Sequence, residues 1–438
     1  MHSVEFVVST WHYFANPFKL HPLNELYLAT VLEDRLGSAV QVGVSDLRAA
    51  RKENSTLDDC IDSIPERDMY VHWIAKTGDS VEVAAIVHRL RQRFPKAKHV
   101  GGGVHVETFQ EESLKVFDAI VVGPGEESLQ KAVLDAADKK LQQRYASRWQ
   151  DVDFNDYPFP KREFLPESAI MNTALFEKYG GMPSTSVMFS RGCNFNCAYC
   201  YCNIPHFIQL RSPENITREV EYLKANYGLT AVNLRDEIAI PLSRKHALAR
   251  MEALADCNVA WRGQTRVGLD RDILKTASES GCVELAIGVE SVSTTALEIV
   301  DKQINLDQVR DFIANAHDFN IKIKMCLIMG LPGEPRDILE RTKAFIEETT
   351  PDYVNVSGFD PMPGSHVFRD PKKFGIKTIN TDWEKHAHLL FRFSDQEHFG
   401  LPFEFEENAP WGKAFSREEI MANLLDLQGY LRENNMCY

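Results

Sequence analysis

The 438-residue sequence has no long apolar run, no excess of basic residues and no disulfide-like pairing of its cysteines. Each absence removes a class of function. No uninterrupted hydrophobic stretch approaches the roughly 18 to 20 residues that cross a bilayer, so no membrane span is expected. A formal net charge of −14 and a pI near 5.5 oppose nucleic-acid binding, because phosphate contacts need a basic face. The first residues, MHSVEFVVSTWHYF, lack the basic start, apolar core and small-residue cleavage site of a secretory leader. The expected setting is therefore the reducing cytoplasm, where thiols stay free to bind metal. Nine cysteines, an odd number with one dense cluster, read poorly as a disulfide framework. What is present is an ordinary globular balance, 44% hydrophobic and 26% charged, in a chain long enough for two or three cores.

Residues 1–136 alternate short apolar runs with amphipathic stretches. Strands are expected at 4–9, 39–44, 68–75, 97–102 and 118–123, with helical spacing at 23–36 and 81–94 between them. This rhythm predicts a doubly wound, Rossmann-type parallel sheet. Residues 137–180, rich in charge, aromatics and proline, read as a linker. The alternation resumes from 181 to 370, with strands expected at 184–190, 230–235, 259–264, 283–289, 323–330 and 353–359. A helix is announced by Ser212-Pro213 and closed by Gly228. Six βα units predict an α/β fold in the form of a partial (β/α)6 TIM-like barrel, two units short of eight. Residues 371–438 form an α-rich segment that is expected to cap the open side.

The stretch RGCNFNCAYCYCN places Cys193, Cys197, Cys200 and Cys202 within ten positions, directly after the first barrel strand. Four thiolates can close a structural zinc site. Zinc fingers, however, draw pairs from separated segments, whereas C-x3-C-x2-C brings three sulfurs to one small centre. A four-iron cluster on three thiolates keeps one iron open to another ligand.

At these residues the chain resembles the radical S-adenosylmethionine (SAM) superfamily, whose motif C-x3-C-x-aromatic-C is met by Cys193, Cys197, Tyr199 and Cys200. The resemblance implies that these three cysteines hold a 4Fe–4S cluster, and it assigns no ligand role to Cys202. It further implies that Asp236 and Glu237, after the second strand, receive the SAM ammonium, that Arg266 meets its carboxylate, and that Glu290 and Ser291 line the cofactor site. Ile328, Gly330 and Leu331, in IMGLPGE, correspond to the segment that passes the adenine, and PMPGS (361–365) follows the sixth strand as in many relatives. Singly, each could be a surface acid, a salt-bridge partner or a turn. Their order along six strand ends is what carries the match.

The first domain carries glycines after two expected strands. Gly102, Gly103 and His105, with Gly123, Gly125 and Glu126, resemble the cobalamin-binding-type domain of one large radical SAM subgroup. The D-x-H-x-x-G motif that supplies a cobalt ligand elsewhere is absent from residues 1–136. His12, His72 and His105 are read as polar residues at strand ends rather than cobalt ligands. Trp11, Tyr13 and Phe14 either pack on a corrin face or close the core.

The resemblance implies a cobalamin-dependent methyltransferase acting on an unactivated carbon of a small metabolite, lipid or natural-product intermediate, served by an electron donor such as flavodoxin or ferredoxin. The alternative is a radical SAM enzyme without cobalamin that performs rearrangement, ring formation, oxidation or another group transfer. A non-catalytic cluster carrier would leave the strand-end acids without a purpose. In the C-terminal segment, Trp383, Phe391, Phe393, Phe403, Phe405 and Trp411 are read mainly as packing, and His386 and His388 mainly as surface residues.

Overall fold

The structure is a computed structural model that describes residues 2–11, 16–50, 55–200, 206–386 and 400–437. His12, Tyr13, Phe14, Cys202, His388, Phe391 and Phe393 lie outside the described residues. The chain forms two units, Met1–Asn172 and Thr173–Tyr438.

The first unit is built on β1 (His2–Val8), β2 (Val40–Asp46), β3 (Met69–Trp73), β4 (Lys98–Gly102), β5 (Ala119–Val122) and β6 (Arg144–Ala146). They form one sheet in the order β2-β1-β3-β4-β5-β6, parallel throughout. Val4, Phe6 and Val8 of β1 are all fully buried, as expected of a parallel sheet covered on both faces. The helices Leu23–Leu36, Ser80–Arg93 and Gly125–Ala137 supply cover. The strand order reverses between β1 and β3, the place where such sheets open a crevice at their C-terminal edge.

The expected linker at 137–180 requires correction. Residues up to Asn172 belong to the first unit, and Arg144–Ala146 adds a sixth strand by pairing Ile120 with Arg144 and Val122 with Ala146. Its single large apolar residue, Tyr145, is buried and donates its hydroxyl to Asp135 at 3.0 Å. A three-residue edge strand with charged and small neighbours has no hydrophobic run to betray it.

The second unit contains β7 (Ser184–Val187), a short antiparallel pair β8 (Ser190–Arg191) and β9 (Gln209–Leu210), then β10 (Ala231–Leu234), β11 (Ala260–Thr265), β12 (Cys282–Glu290), β13 (Lys322–Met329) and β14 (Tyr353–Gly358). The large sheet runs β14-β13-β12-β11-β10-β7, every pair parallel. Sequential order with right-handed crossovers puts all helices on one face, which is the partial barrel expected. Helix Pro213–Tyr227 starts as its sequence announces, with Ser212 Oγ accepting from Asn215 N at 3.3 Å and Gly228 closing it at φ 65°.

Alternation separates the faces. Along β13, Ile323, Met325, Leu327 and Met329 are buried against helices, whereas Lys324, Cys326 and Ile328 are half-buried on the interior side. The N-terminal end of the barrel is plugged by Leu175, Phe176, Tyr179 and Met182 packed on Ala231, Ala260 and Val283. Above that plug, Arg262 and Tyr179 both bind Glu284, the tyrosine at 2.7 Å, and Arg262 also donates to the Leu175 carbonyl at 2.8 Å.

The C-terminal segment forms two small antiparallel pairs, β15 (Ile376–Ile379) with β16 (Phe403–Phe405) and β17 (Asn408–Ala409) with β18 (Gly412–Lys413). Helix Arg417–Glu433 then lies against β14 and β13. Phe403 and Phe405 make edge contacts with Phe359 and Trp411, so these aromatics are packing. Contrary to expectation, His386 is buried, 3.0 Å from Asp360.

Candidate active site

The cysteine loop leaves the C-terminal end of β7 and is gripped by the ends of other strands. Gly192, at φ 92°, donates its amide to Glu237 Oε2 at 3.0 Å, just beyond β10. Ala198 N donates to the Val300 carbonyl at 2.8 Å, and Ala198 O accepts from Val367 N, beyond β14, at 3.0 Å. Arg266, beyond β11, lays its guanidinium 3.6 Å over the Phe195 ring and reaches Cys197 Sγ at 3.8 Å. Cys193, Cys197 and Cys200 are free thiols on this loop. Burial pushes the Cys193 thiol up, against the pull of Arg266. Among the described residues no three His, Cys, Asp or Glu side chains converge on a point to hold a single metal ion.

The paired acids after β10 divide the work. Asp236 is fully buried and accepts from Phe189 N at 2.8 Å, Ser190 Oγ at 2.6 Å and Arg250 Nη1 at 2.6 Å. The expectation that it receives the SAM ammonium needs correction: protein donors occupy it, and it positions the start of the loop. Glu237 is half-buried, with burial pushing its carboxyl up to about 7, and among the described residues it has no ion-pair partner. Arg266 likewise spends one guanidinium nitrogen on the carbonyls of Lys302 and Gln303, so it fastens loops together beside the sulfur.

Glu290, at φ 67°, accepts from Lys302 Nζ at 2.7 Å, and Lys302 also reaches the Tyr199 hydroxyl at 3.2 Å. A Cβ at Gly288 would collide with both Glu290 and Lys302, which explains the glycine. Ser291 does not line the site: it is buried and donates to Glu334 Oε1 at 2.9 Å, while Glu334 Oε2 accepts from Gly330 N at 2.8 Å. Ile328 faces the interior, Gly330 turns at φ 93° against Ile420, and Leu331 is buried behind. Lys302, Arg250 and Glu334 were missed from sequence. Arg250 did leave a signal, since it lies in the buried stripe Ala247, Met251 and Leu254 of helix Arg244–Cys257.

Three soft thiolate donors on one tethered loop, with the Glu237 carboxylate outside any ion pair among the described residues beside them, fit a cluster that binds an amine-bearing ligand. In the first unit the glycines and their neighbours sit closely against protein groups. Where Gly102 and Gly125 have no side chain, the Trp73 ring fills the space; Gly103 (φ 92°) abuts the Ile74 backbone and Gly123 (φ 83°) the Ser147 carbonyl. His105 is buried against Phe109, its pKa pushed down to about 4 by burial, and Glu126 accepts from Tyr27 at 2.9 Å. Trp11 lies 4.4 Å from the Arg48 guanidinium. Protein groups thus lie against each of these positions.

Residues 187–346 match the profile of the radical SAM superfamily. That stretch is a radical SAM domain, and the chain is an enzyme whose cofactors are a 4Fe–4S cluster and SAM. An uncharacterised methyltransferase of Pyrococcus horikoshii is 26% identical over 367 residues, covering 79% of this chain and 77% of the relative. The bacteriochlorophyllide d C-8(2)-methyltransferase of Chlorobaculum tepidum is 22% identical, covering 74% and 73%. The structure of the radical SAM methyltransferase TsrM of Kitasatospora setae, with cobalamin and a 4Fe–4S cluster bound, superposes at a TM-score of 0.69, 15% identity, and covers 98% of this chain and 89% of that one. No helix of the described residues is long and apolar enough to cross a membrane.

Proposed function

We propose that the enzyme methylates an unactivated carbon of a small molecule in a cobalamin-dependent radical reaction. The observation that carries this reading is the extent of the methyltransferase relatives: 367 aligned residues exceed the length of the second unit, so the likeness takes in part of the first. Cys193, Cys197 and Cys200 would hold the cluster. When bound, the cluster supplies the electron that splits SAM into methionine and a 5′-deoxyadenosyl radical. Glu237 accepts the ammonium of the methionine part, Arg266 offsets thiolate charge at Cys197, Ile328 and the backbone at Gly330 flank the adenine, and Tyr199, Lys302 and Glu290 form a wall that excludes water.

A second reading keeps the radical chemistry without cobalamin, and the protein-filled spaces at Gly102, Gly103, Gly123 and Gly125 favour it. One experiment separates the two. The chain is reconstituted anaerobically with iron, sulfide and hydroxocobalamin, then given SAM and either dithionite or reduced flavodoxin. Near-stoichiometric corrin absorbance with S-adenosylhomocysteine and 5′-deoxyadenosine supports the methyltransferase. Deoxyadenosine without corrin supports the second reading. Serine at any of the three cysteines should abolish deoxyadenosine release; release from such a variant overturns both.

A further inference from the structure

The cysteine loop is also held by a segment that none of these roles uses. Beyond β14, helix His366–Arg369 starts at Ser365, whose Oγ accepts from Phe368 N at 3.1 Å. His366 Nε2 lies 2.8 Å from Asn196 Oδ1, and Val367 N donates to the Ala198 carbonyl at 3.0 Å. Asn194 and Asn196 are exposed. The loop that carries the cysteines therefore reaches solvent beside His366.

The same segment continues into Lys372 and Lys373, in the short helix Pro371–Phe374, and Lys377, in β15. All three are exposed, and among the described residues none has an ion pair. Bare cations stand out in a chain of net charge −14. On the first unit, by contrast, Arg91 and Lys98 share Asp118, Arg89 faces Asp58 and Arg93 faces Asp62. The acids around the three lysines leave them unpaired. Glu404 is taken by Arg417 at 3.0 Å, Asp370 accepts from the Lys373 amide at 3.4 Å, and Glu406, whose amide donates to the Gly375 carbonyl at 2.8 Å, forms no ion pair with them. Lys373 is six residues beyond Val367, at most about 22 Å of extended chain and less in these helical turns, so the lysines stand close to the cysteine loop.

We propose that Lys372, Lys373 and Lys377 form the docking surface of an acidic one-electron carrier protein, which reduces the cluster from the exposed side of the cysteine loop. Radical cleavage of SAM takes one electron that must come from outside the chain: the carrier loses it and the oxidised cluster gains it, with no bond made or broken at the surface. A protein donor cannot follow SAM into the barrel, so it approaches where the loop meets solvent. Unpaired lysines there draw in an acidic partner and orient it, and electron-transfer encounters are small enough for a few charges to govern them. A nucleic acid would need a longer basic track than three lysines offer in so acidic a chain. The inference rests on the reading of Cys193, Cys197 and Cys200 as the cluster ligands and holds whatever group the enzyme transfers.

The test uses the reconstituted holoenzyme with flavodoxin as the acidic carrier. Reduction of the cluster is followed by electron paramagnetic resonance of freeze-quenched samples. At low salt, reduced flavodoxin should act at least about tenfold more slowly on the Lys372→Glu/Lys373→Glu variant than on the parent, and the gap should close to within about twofold in 1 M KCl, where the Debye length is about 3 Å. The milder Lys372→Gln/Lys373→Gln variant should fall between. Dithionite, a small ion, should reduce all three within about twofold of one another. Carbodiimide coupling reads the contact without turnover: peptide mass spectrometry should find Lys372, Lys373 or Lys377 joined to flavodoxin carboxylates, and an equimolar RNA oligonucleotide should not prevent it. Equal flavodoxin rates at low salt, cross-links confined to other lysines, or equal slowing with dithionite overturns the proposal. Abolition of the coupling by the RNA gives the surface to a nucleic acid and overturns it too. A parent that is reduced and cross-linked as expected yet yields no methylated product counts against the proposed function alone.

Discussion

Replacing Asp236 with asparagine separates a positioning role from a cofactor-binding one. The carboxylate is fully buried and holds three donors, of which the Arg250 guanidinium, itself 4% exposed, is the charged one. Asp236→Asn keeps the shape and one acceptor oxygen, but turns an amide NH2 either toward Ser190 and Arg250 together or toward the Phe189 amide, and leaves the guanidinium without its counterion. Removing one partner of a buried pair costs about 3–5 kcal/mol. For a unit of this size, about 2–4 °C per kcal/mol turns that into a fall in Tm of about 6–20 °C. Anaerobic calorimetry of the whole chain measures it. Combining Asp236→Asn with Arg250→Met should recover more than about 1 kcal/mol, because the unpaired charge is then gone. A single variant within about 0.5 kcal/mol of the parent, or strictly additive losses, would refute the assignment.

Three further outcomes are expected. Gly102→Ala drives a methyl into the Trp73 ring and should cost about 1–3 kcal/mol, measured by thermal unfolding; a neutral effect would reopen the glycine as a ligand contact. His99 and His105 are pushed down from 6.5 to about 4, chiefly by burial. The unfolded chain therefore takes up protons first, and stability that is complete above pH 6.5 falls as the pH drops toward 4, by up to about 3 kcal/mol for each group. A flat urea midpoint from pH 7 to 4.5 would contradict this. Glu334 has the opposite sign: burial raises it from 4.5 to about 7, so its contribution is full below 4.5 and is lost as the pH rises through 7. Glu334→Gln should gain on the parent as the pH rises from 4 to 8, by up to about 3 kcal/mol, and a pH-independent difference in Tm would argue against it.

The barrel was legible because each of its strands carries a run such as VELAIGV or IKMCLIMG and each helix a stripe at three and four spacing. The sixth strand of the first sheet was not, since its one large apolar residue, Tyr145, is flanked by arginine and alanine. In the site, the cysteine spacing and the acid after β10 were visible. Which of two adjacent acids faces inward was not, because consecutive side chains point to opposite faces and only the strand register fixes the sense. Lys302 escaped notice because a lysine after a short helix reads as solvated until Glu290 and Tyr199 are seen around it.

The cysteine loop is moored by its own amides and carbonyls at Gly192 and Ala198 and by the side chains of Phe195, Asn196 and Tyr199. Its contour is therefore inherited from the barrel rim, and Asn194, which is exposed, becomes a position where sequence can drift, or be randomised by an engineer, without redrawing the geometry of the metal-bearing turn.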